Sequence, residues 1–166
     1  MKTPALVATL AFAALACVPT TQAAMEPAPQ LQRLALCQDS WFDWKDDDAR
    51  MARFASHFEN RFERSPQGDG GFAPKAPTQA LGFGVTQVYP QSVGMGVGFS
   101  LVVNADFAHA RSSIEQQLGK PMTCQTSDGM RACELPLGPK KTAMLITGDN
   151  GQARTSLVGC YYFYQQ

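Results

Sequence analysis

The sequence contains no Gly-x-Ser-x-Gly elbow and no His-Glu-x-x-His pair. These are the most legible serine-hydrolase and zinc-protease signatures. Neither charge sign is in excess: 14 Lys and Arg oppose 14 Asp and Glu. Gripping a phosphate backbone needs a basic surplus, so nucleic acid is not an expected partner. No polybasic cluster points to an anionic membrane. No apolar run is long enough to cross roughly 30 Å of hydrocarbon as a helix. The cysteines include no pair two to four residues apart, and neither histidine lies near one in sequence, so zinc lacks its usual ligand spacing. Gly94-Met-Gly-Val-Gly98 is no phosphate loop, because such a loop opens a helix and these glycines lie inside an alternating strand. No cofactor is expected.

What is present begins with an export signal. Met1-Lys2 precedes an apolar run from Ala5 to Val18, then Pro19 and small residues up to Ala24. A basic start, a short apolar stretch and small residues before the cut describe a secretory signal. Thr21 and Ala23 place cleavage after Ala23, giving a signal peptide over 1–23. The competing reading, a buried N-terminal helix, lacks a cap and runs into proline. A lipid anchor at Cys17 is disfavoured, because Ala14 stands where lipoprotein signals usually carry leucine. The 143 residues that remain are ordinary single-domain size.

Four cysteines follow the signal: Cys37, Cys124, Cys133 and Cys160. An even number in an exported chain reads as disulfides. Asp128-Gly129 is a favoured two-residue hairpin turn. That turn sets Ser127 opposite Met130 and Cys124 opposite Cys133, the latter at a non-hydrogen-bonded site. Cα atoms there are about 4.5 Å apart, within disulfide range. Cys37 then joins Cys160 by elimination. Chain entropy gives about 2.7 kcal/mol for the short loop and about 4.9 for the long one.

Residues 24–39 read as a loose lead-in to a single domain over 40–166. Trp41, Trp44, Met51, Ala55, Phe58 and Phe62 share one face of a helix spanning roughly 41–64. Asp46, Asp47 and Asp48 near its start and Arg61 and Arg64 near its end suit the helix dipole. Proline and glycine mark 65–79 as a long loop, either functional or disordered. Odd positions Leu81, Phe83 and Val85, and then Val93 to Val103, are apolar, giving two strands with one buried face. A second helix starts at the Asp106 cap and stops at Gly119 and Pro121. Four further strands follow, the last ending near Tyr164. The expected class is α+β: an antiparallel sheet of about six strands with two helices, in the order α-β-β-α-β-β-β-β, stapled by disulfides.

The most unusual feature is a run of small residues on one strand face: Gly82, Gly84, Gly94, Gly96, Gly98 and Ser100. Glycine in a strand marks close approach by a ligand or another backbone. One reading is a smooth docking surface. The other is internal: helix one, or Tyr161–Tyr164, folds over the face. The acidic run Asp43, Asp46, Asp47 and Asp48 lacks the alternation and central glycine of a calcium loop. His57 belongs to a solvated stripe between Arg53 and Arg61, and His109 stands beside an apolar helix face. Neither histidine has a sequence motif that makes it catalytic.

The expected function is a non-enzymatic binding module, periplasmic or secreted. It recognises another envelope or secreted protein, as an inhibitor or immunity-type partner does. The alternatives are a carrier of a small apolar ligand, a hydrolase with no recognisable motif, and a structural component of the envelope.

Overall fold

The computed structural model describes residues 26–39, 56, 58–66, 68–90, 92–93, 96–147 and 154–163. The segment 1–23 expected as a signal, Cys17, the acidic run Asp43–Asp48, Trp41, Trp44, His57 and Gly94 lie outside the described residues.

The first described residues lie in the sheet. Strand β1 (Glu26–Pro27) pairs in parallel with β4 (Thr78–Ala80), and helix α1 (Pro29–Ala35) follows directly. Pro29 occupies the first helical turn, where its missing N–H costs nothing. Leu31, Leu34 and Ala35, spaced by three and four, bury the inner face. The stretch expected as a loose lead-in is therefore part of the core. Pro27 lies in β1, and Pro29 starts the helix rather than preventing it.

The remaining strands are β2 (Phe62–Arg64), β3 (Phe72–Pro74), β5 (Phe83–Tyr89), β6 (Ser92–Val93), β7 (Gly96–Val103), β8 (Thr123–Ser127), β9 (Met130–Pro136), β10 (Lys141–Thr147) and β11 (Ser156–Phe163). Helix α2 is Phe107–Leu118, with Asp106 accepting from the His109 N–H and Gly119 left-handed at its end. Eleven described strands form one sheet. Its main path is β1-β4-β5-β7-β11-β10-β9-β8, with β2 on β3, β3 on β5 and β6 on β7. Every pairing except β1 with β4 is antiparallel. The α+β class with disulfides holds, with more strands and an earlier helix than expected.

Two further expectations are corrected. Of the helix expected over 41–64, the described part, 56 and 58–61, is helical, and Phe62 opens β2 instead of continuing it. Phe58 and Phe62 still stack, at 4.6 Å between ring centroids. Their spacing of four was read as a continuing helix, but β2 pairs with β3 instead. The Pro/Gly stretch 65–79 is consequently not one loop, because it contains β3 and part of β4. In β5, a register shift between Val85 and Gln87 breaks the alternation, so Val85 and Val88 are both buried.

One layer of helices covers one sheet face. Phe99, Leu101 and Val103 of β7, Val158 and Cys160 of β11, Ala143 and Leu145 of β10, and Cys133 and Leu135 of β9 join α1 and α2 in one buried cluster. Cys37 follows α1 with a left-handed backbone and is bonded to Cys160, Cα atoms 5.1 Å apart. The Gln32 amide links both helices to the β4–β5 turn: it donates to Gln117 Oε1 at 2.7 Å and accepts from the Leu81 N–H at 2.9 Å.

Leu34 is 1% exposed. Leu34→Ala is expected to cost about 2–5 kcal/mol in urea unfolding. A loss within about 0.5 kcal/mol, as at an ordinary surface site, would mean that α1 is not part of the cooperative core.

Candidate functional site

Gly98 and Ser100 of β7 do not present an open face. Gly98 pairs with Tyr161, and Ser100 pairs with Gly159. A Cβ at Gly98 would lie 2.7 Å from the Tyr161 ring, and one at Gly159 would lie 2.8 Å from the Ser100 Cβ. Tyr161 is 5% exposed and Ser100 4%. The ring therefore lies flat over glycine, where any side chain would lift it. Burial raises the Tyr161 hydroxyl above its ordinary value, partly offset by its hydrogen bond with Ser100. The other small residues are scattered. Gly82 is exposed in the turn after Leu81, with φ 84°. Gly84 pairs with Gln79, and Gly96 pairs with Val93 and Phe163. Gly82, Gly84, Gly98 and Ser100 thus do not form one open surface among the described residues.

A second cluster fixes the start of the Pro/Gly stretch. The Tyr89 hydroxyl donates to Asp69 Oδ2 at 2.6 Å, and Asp69 Oδ1 accepts from the Gly71 N–H at 2.9 Å. A Cβ at Gly71 would meet the Tyr89 ring at 2.7 Å. The Tyr89 bond, then the Gly71 N–H, hold Asp69 below the usual carboxylate range. Desolvation and then Asp69 push Tyr89 up to about 12.

His109 Nδ1 lies 2.7 Å from Asp106 Oδ2, and both are exposed. The pair belongs to the α2 cap. No hydrogen bond joins His109 to a hydroxyl or thiol among the described residues, and all four described cysteines are in disulfides. Nor do three His, Cys, Asp or Glu side chains gather to hold a metal among these residues. No helix among them is long and apolar enough to cross a membrane.

The third feature is the end of the sheet. Strand β8 is last in the strand order, exposed at every residue, and uncharged from Thr123 to Ser127. Asp128 and Gly129 both have positive φ, as a tight hairpin turn requires. Ser127 pairs with Met130 and Cys124 with Cys133. Cys124 and Cys133 are bonded, with Cα atoms 4.0 Å apart. That short spacing marks a non-hydrogen-bonded pair. The backbone N–H and C=O of Cys124, and of Thr126 two residues on, therefore point away from β9.

Beside this hairpin lies a groove of about 310 Å³ lined by Phe107, Ala108, Arg111, Ser112, Glu115 and Arg131. Two contacts brace its wall. Glu115 accepts from the Arg111 Nε–H and from the Met122 N–H, both at 2.8 Å. The Met122 bond, then Arg111, lower the Glu115 carboxyl. Arg131 stacks over the Phe107 ring, 4.9 Å from its centroid, and has no carboxylate partner among the described residues. Sequence reading located the hairpin but did not identify it as an edge. The groove left no sequence signal, because its walls come from residues some 20 positions apart.

Two expected outcomes test these clusters. Gly98→Ala forces the Tyr161 ring to move and lowers stability by about 1–3 kcal/mol, and the added change Tyr161→Ala removes most of the Gly98→Ala effect. Additive losses in chemical unfolding would show that the two do not touch. Tyr89 contributes stability below its ordinary value of 10.0, and this is lost as pH rises through about 12. Asp69 contributes above its ordinary value of 3.8, and this is lost as pH falls through its lowered value. Phenolate absorbance should show a late tyrosine that disappears in Tyr89→Phe and titrates earlier in Asp69→Asn. An unchanged late titration in Asp69→Asn would refute the coupling. Comparison with known protein families, with curated proteins and with solved structures finds no match to this chain.

Proposed function

We propose that this chain is an exported, non-enzymatic binding module that recognises another envelope or secreted protein, as an inhibitor or immunity-type partner does. The observation that carries the reading is the β8–β9 hairpin. An exposed edge strand offers a row of unpaired backbone groups to another chain. Sheet proteins usually blunt such edges with charge or proline, and β8 has neither. The Cys124–Cys133 bond holds the edge in one register. A preorganised strand pays less ordering entropy on binding, which favours recognition over incidental contact.

Export rests on the signal-type N-terminus together with the two disulfides. Disulfides persist in oxidising compartments such as the periplasm or the cell exterior. The site's chemistry is that of contact rather than turnover. The Arg111–Glu115–Met122 linkage braces the hairpin's neighbour and occupies the Glu115 carboxylate with two N–H donors.

Affinity capture from envelope and secreted fractions tests the reading. The disulfide-intact protein is expected to retain one protein in stoichiometric amount, and the reduced, alkylated protein is expected to retain none. Failure of the intact protein to retain any protein would overturn the proposal. A co-purified small molecule in native mass spectrometry would then favour the carrier reading.

A further inference from the structure

We infer that the β8 edge receives an extended segment of a partner protein carrying a carboxylate on the helix-facing side, which Arg131 binds. This rests on the binding-module reading and specifies its partner.

The backbone geometry comes first. Cys124 and Thr126 direct their N–H and C=O groups away from β9, so an added strand can exchange hydrogen bonds with both. In a sheet, a residue paired with Thr126 shares its face. Thr126 is itself the cross-strand neighbour of Arg131. Arg131 alternates with Cys133 and Leu135, which face the helices, and its guanidinium lies over Phe107 of α2. The incoming residue opposite Thr126 therefore lies on the helix side, in line with Arg131 and two strand spacings away, about 9.6 Å between backbones. An extended arginine and a glutamate together close that gap.

Charge then selects the side chain. Within the groove, Glu115 is already used by Arg111 and the Met122 N–H. Arg131 has the Phe107 ring beneath it and no carboxylate partner among the described residues. An exposed cation–π contact is weak and can be exchanged for a charge-assisted hydrogen bond. Lys120, exposed just before β8, adds a second positive charge at the strand's start. A lysine in the incoming segment would meet this charge as repulsion.

The test uses the full disulfide-intact protein and two capped heptapeptides, Thr-Val-Thr-Glu-Thr-Val-Thr and the same sequence with lysine at the centre. The glutamate peptide is expected to slow amide exchange at Cys124 and Thr126 at least tenfold and to bind at least tenfold tighter than the lysine peptide. Arg131→Ala should erase that preference. Thr126→Pro, which removes an outward N–H and leaves the β9 ladder intact, should abolish binding of both. Equal binding of the two peptides by wild type overturns the carboxylate assignment. Absence of protection at Cys124 and Thr126 overturns the edge assignment, and this wild-type readout stands even if Thr126→Pro does not fold. Concentration-dependent protection without peptide would assign the edge to a second copy of this chain and overturn the proposal. A captured partner still held by folded Thr126→Pro would refute this inference while leaving the binding-module reading intact.

Discussion

Cys160 stands in the middle of the sheet, on β11, with Phe99 of β7 on one side and Ala143 of β10 on the other. Its bond to Cys37 joins the end of the first helix to the last described strand, across a separation of 123 residues. Both sulfur-bearing residues are buried. The arrangement therefore combines chain closure with core packing. Around it, α1 lies against β7 and β11, the Lys141 ammonium donates to the Cys37 carbonyl, and the Tyr162 hydroxyl reaches the Asp39 carbonyl. Without this tie, α1 would be a seven-residue helix, too short to hold by propensity alone.

The sheet's two faces solve different problems. The helix side collects the large apolar residues in one cluster. The other side carries Gly98, Ser100 and Gly159 around the Tyr161 ring. Small residues here let an aromatic lie flat on the backbone. Gly98 and Ser100, two of the small residues that suggested a docking surface, thus serve packing. Shape explains this: a ring over two glycines buries apolar area without a neighbouring side chain to displace it.

Three local constraints gather at the β8–β9 hairpin. The tight turn, the Cys124–Cys133 bond and the Glu115 bridge to Met122 all act within a few residues of the edge. Constraint at an exposed, uncharged strand adds little to the core, and its natural consequence is a fixed surface. The groove beside it places a cation over an aromatic ring, a combination that keeps Arg131 oriented while leaving its hydrogen-bonding capacity in reach of a partner.

Much was legible from local signals. Asp106 and Gly119 delimit α2, and Asp128-Gly129 dictates the β8–β9 register, because caps and tight turns are decided by residues a few positions apart. The same turn set Cys124 opposite Cys133, which left Cys37 to pair with Cys160. The rest depended on partners distant in sequence. Phe62 leaves its helical pattern because β3 is available to pair with it. Pro29–Ala35 becomes helix because the sheet and Cys160 give its leucines somewhere to be buried. Gly98 acquires its role only when Tyr161 arrives on the neighbouring strand. The sequence by itself determined turns, caps and class, since these are short-range. The tertiary structure alone decided which strand is an edge and which face is covered, since both follow from the order in which distant strands pair.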